Sequence, residues 1–329
     1  MSRISRVSVV ATSAVAALAL AACSSSGGKQ EEEGGTGSGG GVDTPEMTVA
    51  LITHSAPGDT FWDFVRKGAE DAAKKDNVKL EYTADPDGAK QANLVNQAVD
   101  KKVDGIAVTL AKPEAMKGAV EKAVAADIPV VALNAGGDAW QDMGVLSYFG
   151  QDEQVAGEAT GEQLKKLGRK KVLCVIQEQG HVGLEARCAG VKKTGPESEK
   201  MYVKGTDMAN VQSSVTAKLQ EDKDIDTVLM LGAPYTMTAL KSVEESGSDA
   251  IVASFDSNKD VIKEIQSGKV LFGVDQQPYL QGYLAVDSLW ANKTNGLVYG
   301  GGQQVLTGPF FIDKDNADSI AEYADKGTR

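Results

Sequence analysis

The sequence predicts an α/β protein built from two doubly wound, parallel-sheet lobes. Two observations carry this. Short apolar strands alternate with amphipathic helices along nearly the whole chain, the pattern of a parallel sheet covered on both faces. The alternation halts near residue 167 at a helix end and a basic patch, then starts again. From Glu46 onward 284 residues remain, enough for two lobes rather than one.

The first 45 residues are not part of that fold. Met1 to Ala22 carries Arg3 and Arg6 and then an apolar run too short to span a bilayer comfortably. It ends in Leu20-Ala21-Ala22-Cys23, small residues before a cysteine, which resembles a bacterial lipoprotein signal with Cys23 as the acylated amino terminus. A plain secretory signal and an uncleaved anchor are the alternatives. Residues 23–45 form a Ser/Gly/Glu tether that cannot bury a core, and its 22 residues after Cys23 reach about 25 Å. This places the folded part outside the cytoplasm, lipid-anchored to the cell membrane. Removing Arg3 and Arg6 leaves 32 basic against 46 acidic residues, a net charge of −14. Such a surface argues against nucleic acid and against an electrostatic membrane partner.

The first lobe reads in order as follows. Thr48 to Thr53 is a strand, and HSAPGDTFW leads into a helix from Phe61 to Lys75. The strand KLEYTA precedes Asp85-Pro86-Asp87-Gly88 and a second helix. The strand Gly105 to Leu110 comes next, then a helix opened by Pro113, the strand Pro129 to Asn134, and a fifth strand over Val145 to Phe149. Asp152 to Leu167 is a helix that ends at Gly168. In the second lobe, strands are expected over Lys171–Gln177, Met201–Lys204, Thr227–Leu231 and Ile251–Asp256, with the last from Val270. Helices are expected over 184–193, 210–219, 236–245 and 259–266. The last strand ends in Asp275, Gln276 and Gln277. Pro278 then opens a helix in which Tyr279/Tyr283 and Leu280/Leu284 recur at i,i+4. Polar residues at the carboxyl end of a parallel strand stand where open α/β sheets bind ligands. With Cys23 assigned to lipid, Cys174 and Cys188 remain. One falls on a strand and the other on the next helix, so a disulfide is geometrically feasible; two small buried residues are the alternative.

Between Met47 and Asp313 stand the pieces THSAPGDTFWDFVRKGAEDAA, DGIAV, IPVVALN, GQDEQVAGEATGEQL, LEARCAG, IVASFD and VDQQPYLQGY. In order and spacing they resemble the type I periplasmic sugar-binding proteins, the ribose and galactose binding group that serves ABC importers. The resemblance implies three crossings between lobes that act as a hinge: near Gly150, at Gln276 to Pro278, and near Gly300 to Val305. It puts residues 46–150 and 278–302 in one lobe, and 151–277 and 303–329 in the other.

A sugar presents hydroxyl edges and apolar faces, so its site calls for aromatic platforms with groups that donate and accept. Phe61 and Trp62 match the stacking positions, Asp256 the carboxylate, and Gln276 a hinge amide. Asn134 stands where the family often has an acid. Arg187 lies in an R-x-x-G pattern and offers its fork to vicinal hydroxyls. Asp59 reads as a helix cap that also faces ligand. Relatives have an Asn-Asp pair where this chain has Gly232-Ala233-Pro234-Tyr235, and Tyr235 is the candidate substitute. His54 and His181 face the expected cleft but read as structural. Nucleophile elbow, zinc helix and phosphate loop motifs are all absent, so neither an enzyme, a cofactor nor a metal is expected. The expected function is a monomeric solute receptor that takes a monosaccharide or polyol and hands it to an ABC permease. The alternatives are a receptor that presents ligand to a membrane sensor, and a binder of a non-sugar ligand such as a furanosyl signal or nucleoside.

Overall fold

A computed structural model describes residues 43–329. The signal segment, Cys23 and most of the 23–45 tether lie outside the described residues. Twelve strands are described, in two six-stranded sheets. The first sheet contains β1 (Met47–Thr53), β2 (Val78–Ala84), β3 (Gly105–Val108), β4 (Val130–Leu133), β5 (Tyr148–Gly150) and β11 (Gln304–Leu306). The second contains β6 (Lys171–Ile176), β7 (Glu197–Tyr202), β8 (Thr227–Met230), β9 (Ile251–Phe255), β10 (Val270–Asp275) and β12 (Phe310–Ile312). Their orders are β11-β5-β4-β3-β1-β2 and β12-β10-β9-β8-β6-β7. Strand for strand, β4 in one sheet therefore occupies the place of β9 in the other. All pairings are parallel except β10 with β12.

The inner strands of each sheet are buried on both faces, which is why they read as continuous apolar runs. Ala50, Ile52, Ile106, Val108 and Ala132 pack under α2 (Gly88–Lys101) and α3 (Pro113–Ala125). Val49, Leu51, Ala107, Val131 and Leu133 point the other way, toward α1 (Phe61–Lys75) and α9 (Pro278–Asn295). In the second lobe, Leu173, Val175, Val228 and Met230 face α6 (Met208–Glu221), α7 (Ala233–Ser246) and α8 (Lys259–Ser267). Val172, Cys174, Ile176 and Leu229 face α4 (Glu153–Lys166) and α5 (Val182–Thr194). Cys174 on β6 and Cys188 on α5 are joined as a disulfide across 5.9 Å of Cα separation.

The chain crosses between sheets three times. α4 follows β5 but packs on α5, and α9 follows β10 but packs on α1. The α1–α9 crossing is close enough to require glycine: a Cβ at Gly68 would meet the Tyr279 carbonyl at 1.9 Å, and one at Gly282 the Val65 carbonyl at 1.9 Å. The third crossing corrects an expectation. β11 pairs with β5 from Gln304 to Leu306, so residues 303–306 belong with the first sheet and the chain leaves it only after Leu306. Val305 turns inward to join the first core, which holds that short strand in place. The crossings are tied to one another. Thr307 N–H donates to Gly150 O at 2.7 Å, Thr307 Oγ1 to Gln276 O at 2.7 Å, and Gln277 Nε2 to Thr307 O at 2.6 Å.

Two further differences concern strands. β7 starts at Glu197 rather than Met201; it is an edge strand, so its ESEK segment is ordered by pairing with β6 and not by burial. Asn134 and Asp256 fall just past their strands, at φ of +67° and +63°. Asn and Asp are the non-glycine residues that adopt this left-handed conformation most readily.

Candidate functional site

A cavity of about 320 Å³ opens between the lobes at the carboxyl ends of the parallel strands, a size suited to a small ligand. All eight residues singled out from the sequence line it: Asp59, Phe61, Trp62, Asn134, Arg187, Tyr235, Asp256 and Gln276.

The wall toward the crossings is a chain of amides and acids. Gln276 Nε2 donates to Asp256 Oδ1 at 2.7 Å, and Asn134 Nδ2 donates to Gln276 Oε1 at 3.0 Å. Gln276, on the middle crossing, thus bridges the ends of the two equivalent strands β4 and β9. Gln281 Nε2 also donates to Gln276 Oε1, at 3.0 Å, which fixes the amide's orientation. Burial pushes the Asp256 carboxyl up to about 7, against the opposing pull of Arg187 and Gln276. Asp59 is raised by burial as well and faces the cavity; the N-cap position of α1 is held by Thr60 and not by Asp59, whose Oδ1 accepts the Phe61 N–H at 3.1 Å from one residue further out. Trp62 is buried with its ring edge-on to Phe61 at 5.1 Å. Tyr235 sits at the start of α7 beside Gly205, its hydroxyl kept protonated by burial.

Arg187 differs from its expected freedom. Its fork is already engaged by Glu153, Nε to Oε2 at 2.5 Å and Nη2 to Oε1 at 2.8 Å, and its guanidinium lies 4.6 Å from the Phe255 ring centroid. Glu153 positions the guanidinium, and Arg187 Nη1 donates to the Leu231 carbonyl at 3.5 Å.

Four residues outside the sequence-derived set close the opposite wall. Lys112, in the loop after β3, ion-pairs with Glu178, in the loop after β6, at 2.8 Å across the lobes. His54, which follows β1, meets His181, the N-cap of α5, with Nε2 to Nε2 at 3.1 Å. The backbone joins here too, with Val182 N–H donating to Ala111 O at 3.1 Å. His54 was expected to be structural, and it is packed edge-on to Trp62 at 4.8 Å, but its ring also bridges the lobes.

His54, Glu178 and His181 each bring one atom within 4.8 Å of the others, an arrangement that invites a metal. Their hydrogen bonding does not fit one. His181 Nδ1 accepts the Gly183 and Leu184 N–H groups at 3.1 and 3.4 Å, so its neutral ring carries the proton on Nε2, the atom a metal would need bare. Glu178 is taken by Lys112.

The family model described as a periplasmic binding protein domain matches residues 49–296, most of the chain. This chain belongs to the periplasmic binding protein family. Among solved structures, this binding protein is similar to a carbohydrate transporter from Acidothermus cellulolyticus in complex with myo-inositol. The two are 53% identical with a TM-score of 0.86, over 87% of this chain and 100% of that one. A solute binding protein of an ABC transporter from Burkholderia graminis, in complex with D-arabinose, is 25% identical with a TM-score of 0.75, covering 83% of this chain and 97% of that one. Among curated proteins, the binding protein is 27% identical to the ribose import binding protein of Bacillus subtilis, over 74% of this chain and 80% of that protein. These relatives are binding proteins of importers, not enzymes. Among the described residues of this binding protein, no helix is long and apolar enough to cross a membrane.

Proposed function

We propose that this binding protein captures a small cyclic polyol, of the class of myo-inositol, outside the cytoplasm and delivers it to an ABC permease. The observation that carries the reading is the composition of the cavity wall. The carboxylates of Asp59 and Asp256, the amides of Gln276 and Asn134 and the guanidinium of Arg187 line the same cavity as the aromatic pair Phe61 and Trp62. A ring bearing hydroxyls on its edge needs such donors and acceptors in its plane and an apolar surface at its face. The complex of the 53% identical relative with myo-inositol supports the cyclitol over an open-chain ligand. Closure of the lobes about the three crossings supplies capture without covalent chemistry, because the ligand favours the state in which both lobes contact it. Cys23 anchors the chain by lipid, with the tether holding the lobes clear of the membrane, and the protein works as a monomer.

A thermal-shift panel of inositols, pentoses and hexoses tests this. Myo-inositol at a hundred times its Kd is expected to stabilise by about 2.7 kcal/mol, a rise of several degrees in Tm. A flat response across the inositols overturns the cyclitol reading, and a flat response across the whole panel overturns the polyol reading.

A further inference from the structure

The contact between His54 and His181 has no counterpart in the wall of amides and acids that faces ligand. Each ring comes from a different lobe, and each is nearly buried. The protons on the pair can be placed from the bonds around it. Two backbone N–H groups point at His181 Nδ1, so the ring's proton is on Nε2. That N–H donates across the 3.1 Å gap to His54 Nε2, which must therefore be bare. The His54 proton is then on Nδ1 and donates to Thr109 Oγ1 at 2.7 Å. The chain of bonds closes with both imidazoles neutral and no nitrogen left over.

A further proton has nowhere to go while the lobes are together. On His54 Nε2 it would face the N–H of His181; on His181 Nδ1 it would face two backbone N–H groups. The surrounding charges do not relieve this. Lys112 and Arg187 both repel an imidazolium at this point. Of the carboxylates, Glu178 is held by Lys112 and Glu153 by Arg187, while Asp59 and Asp256, which line the same cavity, accept from the Phe61 N–H and from Gln276 Nε2.

We infer that His54 and His181 are positioning residues that latch the two lobes together, and that protonation of the His54 imidazole opens the latch and lowers the affinity for ligand. Burial and the two cations hold His54 down to about 3 and His181 well below its ordinary range in the latched state. Once the lobes part, His54 Nε2 is free to take a proton and its ring returns toward the ordinary value near 6.5, whereas His181 Nδ1 keeps the Gly183 and Leu184 N–H groups of its own helix. The sign follows: latching is at full strength above about pH 6.5 and weakens as pH falls below it, by up to tenfold per pH unit.

The test uses myo-inositol as the probe and rests on the proposed ligand only for its first readout. Titration calorimetry from pH 7.5 to 5.0 is expected to show at least a tenfold loss of affinity. Asp256 titrates in the same window, so the profile is also measured in Asp256→Asn, where the loss must persist. His181→Asn keeps an N-cap for α5; it is expected to bind more weakly at pH 7.5 and to lose the pH slope that belongs to the latch. A flat profile in Asp256→Asn, or an unchanged slope in His181→Asn/Asp256→Asn, overturns the inference. The second readout needs no ligand: spin labels on Lys90→Cys and Lys241→Cys, one exposed site on each lobe, report the interlobe distance. The distance is expected to lengthen between pH 7.5 and 5.0 in the parent chain and to be long at both in His181→Asn. An identical distance at both pH values in the parent overturns the latch whatever the ligand is. Failure of myo-inositol to bind at pH 7.5, with the distance still responding, overturns only the ligand.

Discussion

Replacing Asp256 by Asn should make the ligand-free protein more stable and the ligand complex weaker. The carboxyl is buried, bonded to Gln276 Nε2, and raised by burial from an ordinary 3.8 to about 7. At about 1.36 kcal/mol per pH unit, holding that group ionised in the folded chain costs about 4 kcal/mol. The direction with pH follows. Below 3.8 the acid is protonated folded or unfolded, and the cost is absent. As pH rises from 3.8 to 7 the unfolded chain ionises first, so the folded state loses ground, and above 7 the full cost is present. Asn keeps an acceptor for Gln276 and tolerates the left-handed backbone at φ +63°, whereas alanine there adds about 1 kcal/mol of strain. Urea denaturation without ligand is therefore expected to find Asp256→Asn more stable than the parent by roughly 2–4 kcal/mol at pH 8.0, and by about 1 kcal/mol or less at pH 4.5. Calorimetry at pH 8.0 should find ligand binding weakened by about 1–2 kcal/mol, since a charge-assisted acceptor has been lost. A variant no more stable than the parent at pH 8.0, or one whose advantage does not shrink at pH 4.5, refutes the argument that this acid is held in the cleft at the expense of the fold.

Two other perturbations act elsewhere. Gly282→Ala puts a methyl group 1.9 Å from the Val65 carbonyl, so α9 must move off α1; a loss of about 3 kcal/mol or more in chemical denaturation is expected, and a loss under 1 kcal/mol would show that the helices separate freely. Cys23→Ala should release the protein from membranes in cell fractionation while leaving its ligand affinity unchanged; continued membrane retention would rule out the lipid anchor.

The legibility of the fold followed the strength of its hydrophobic periodicity. Strands such as Val49 to Ile52 and Val228 to Met230 are apolar throughout because both faces are buried, and they stand out from the sequence. β11 does not, because three residues of QVL after a glycine run carry no period, and only its pairing with β5 reveals which sheet it joins. In the site, residues at strand ends were found because their position in the topology marks them. Glu153 was missed because an acid at the first turn of a helix already has a sufficient reason to be there, in the helix dipole. His54 and His181 were placed at the cleft but read as structural; that Lys112 meets Glu178, and that the two histidines meet, was missed for another reason. Their partners are 66 and 127 residues apart, and contact between lobes leaves no local pattern in either segment.

The ties among the three crossings have a mechanical consequence. Three independent strands would let one lobe twist, slide and tilt against the other. Thr307 binds the outer two crossings to the middle one within a few ångströms, at Gly150, Gln276 and Gln277. In the closure proposed above, rotation of the lobes would share one axis, like the leaves of a door, with Gln276 on the pin. A side chain on the pin hardly moves as the door swings. On that proposal its bonds to Asn134 and Asp256 would persist through opening, and that wall of the cavity would stay assembled before a ligand arrives.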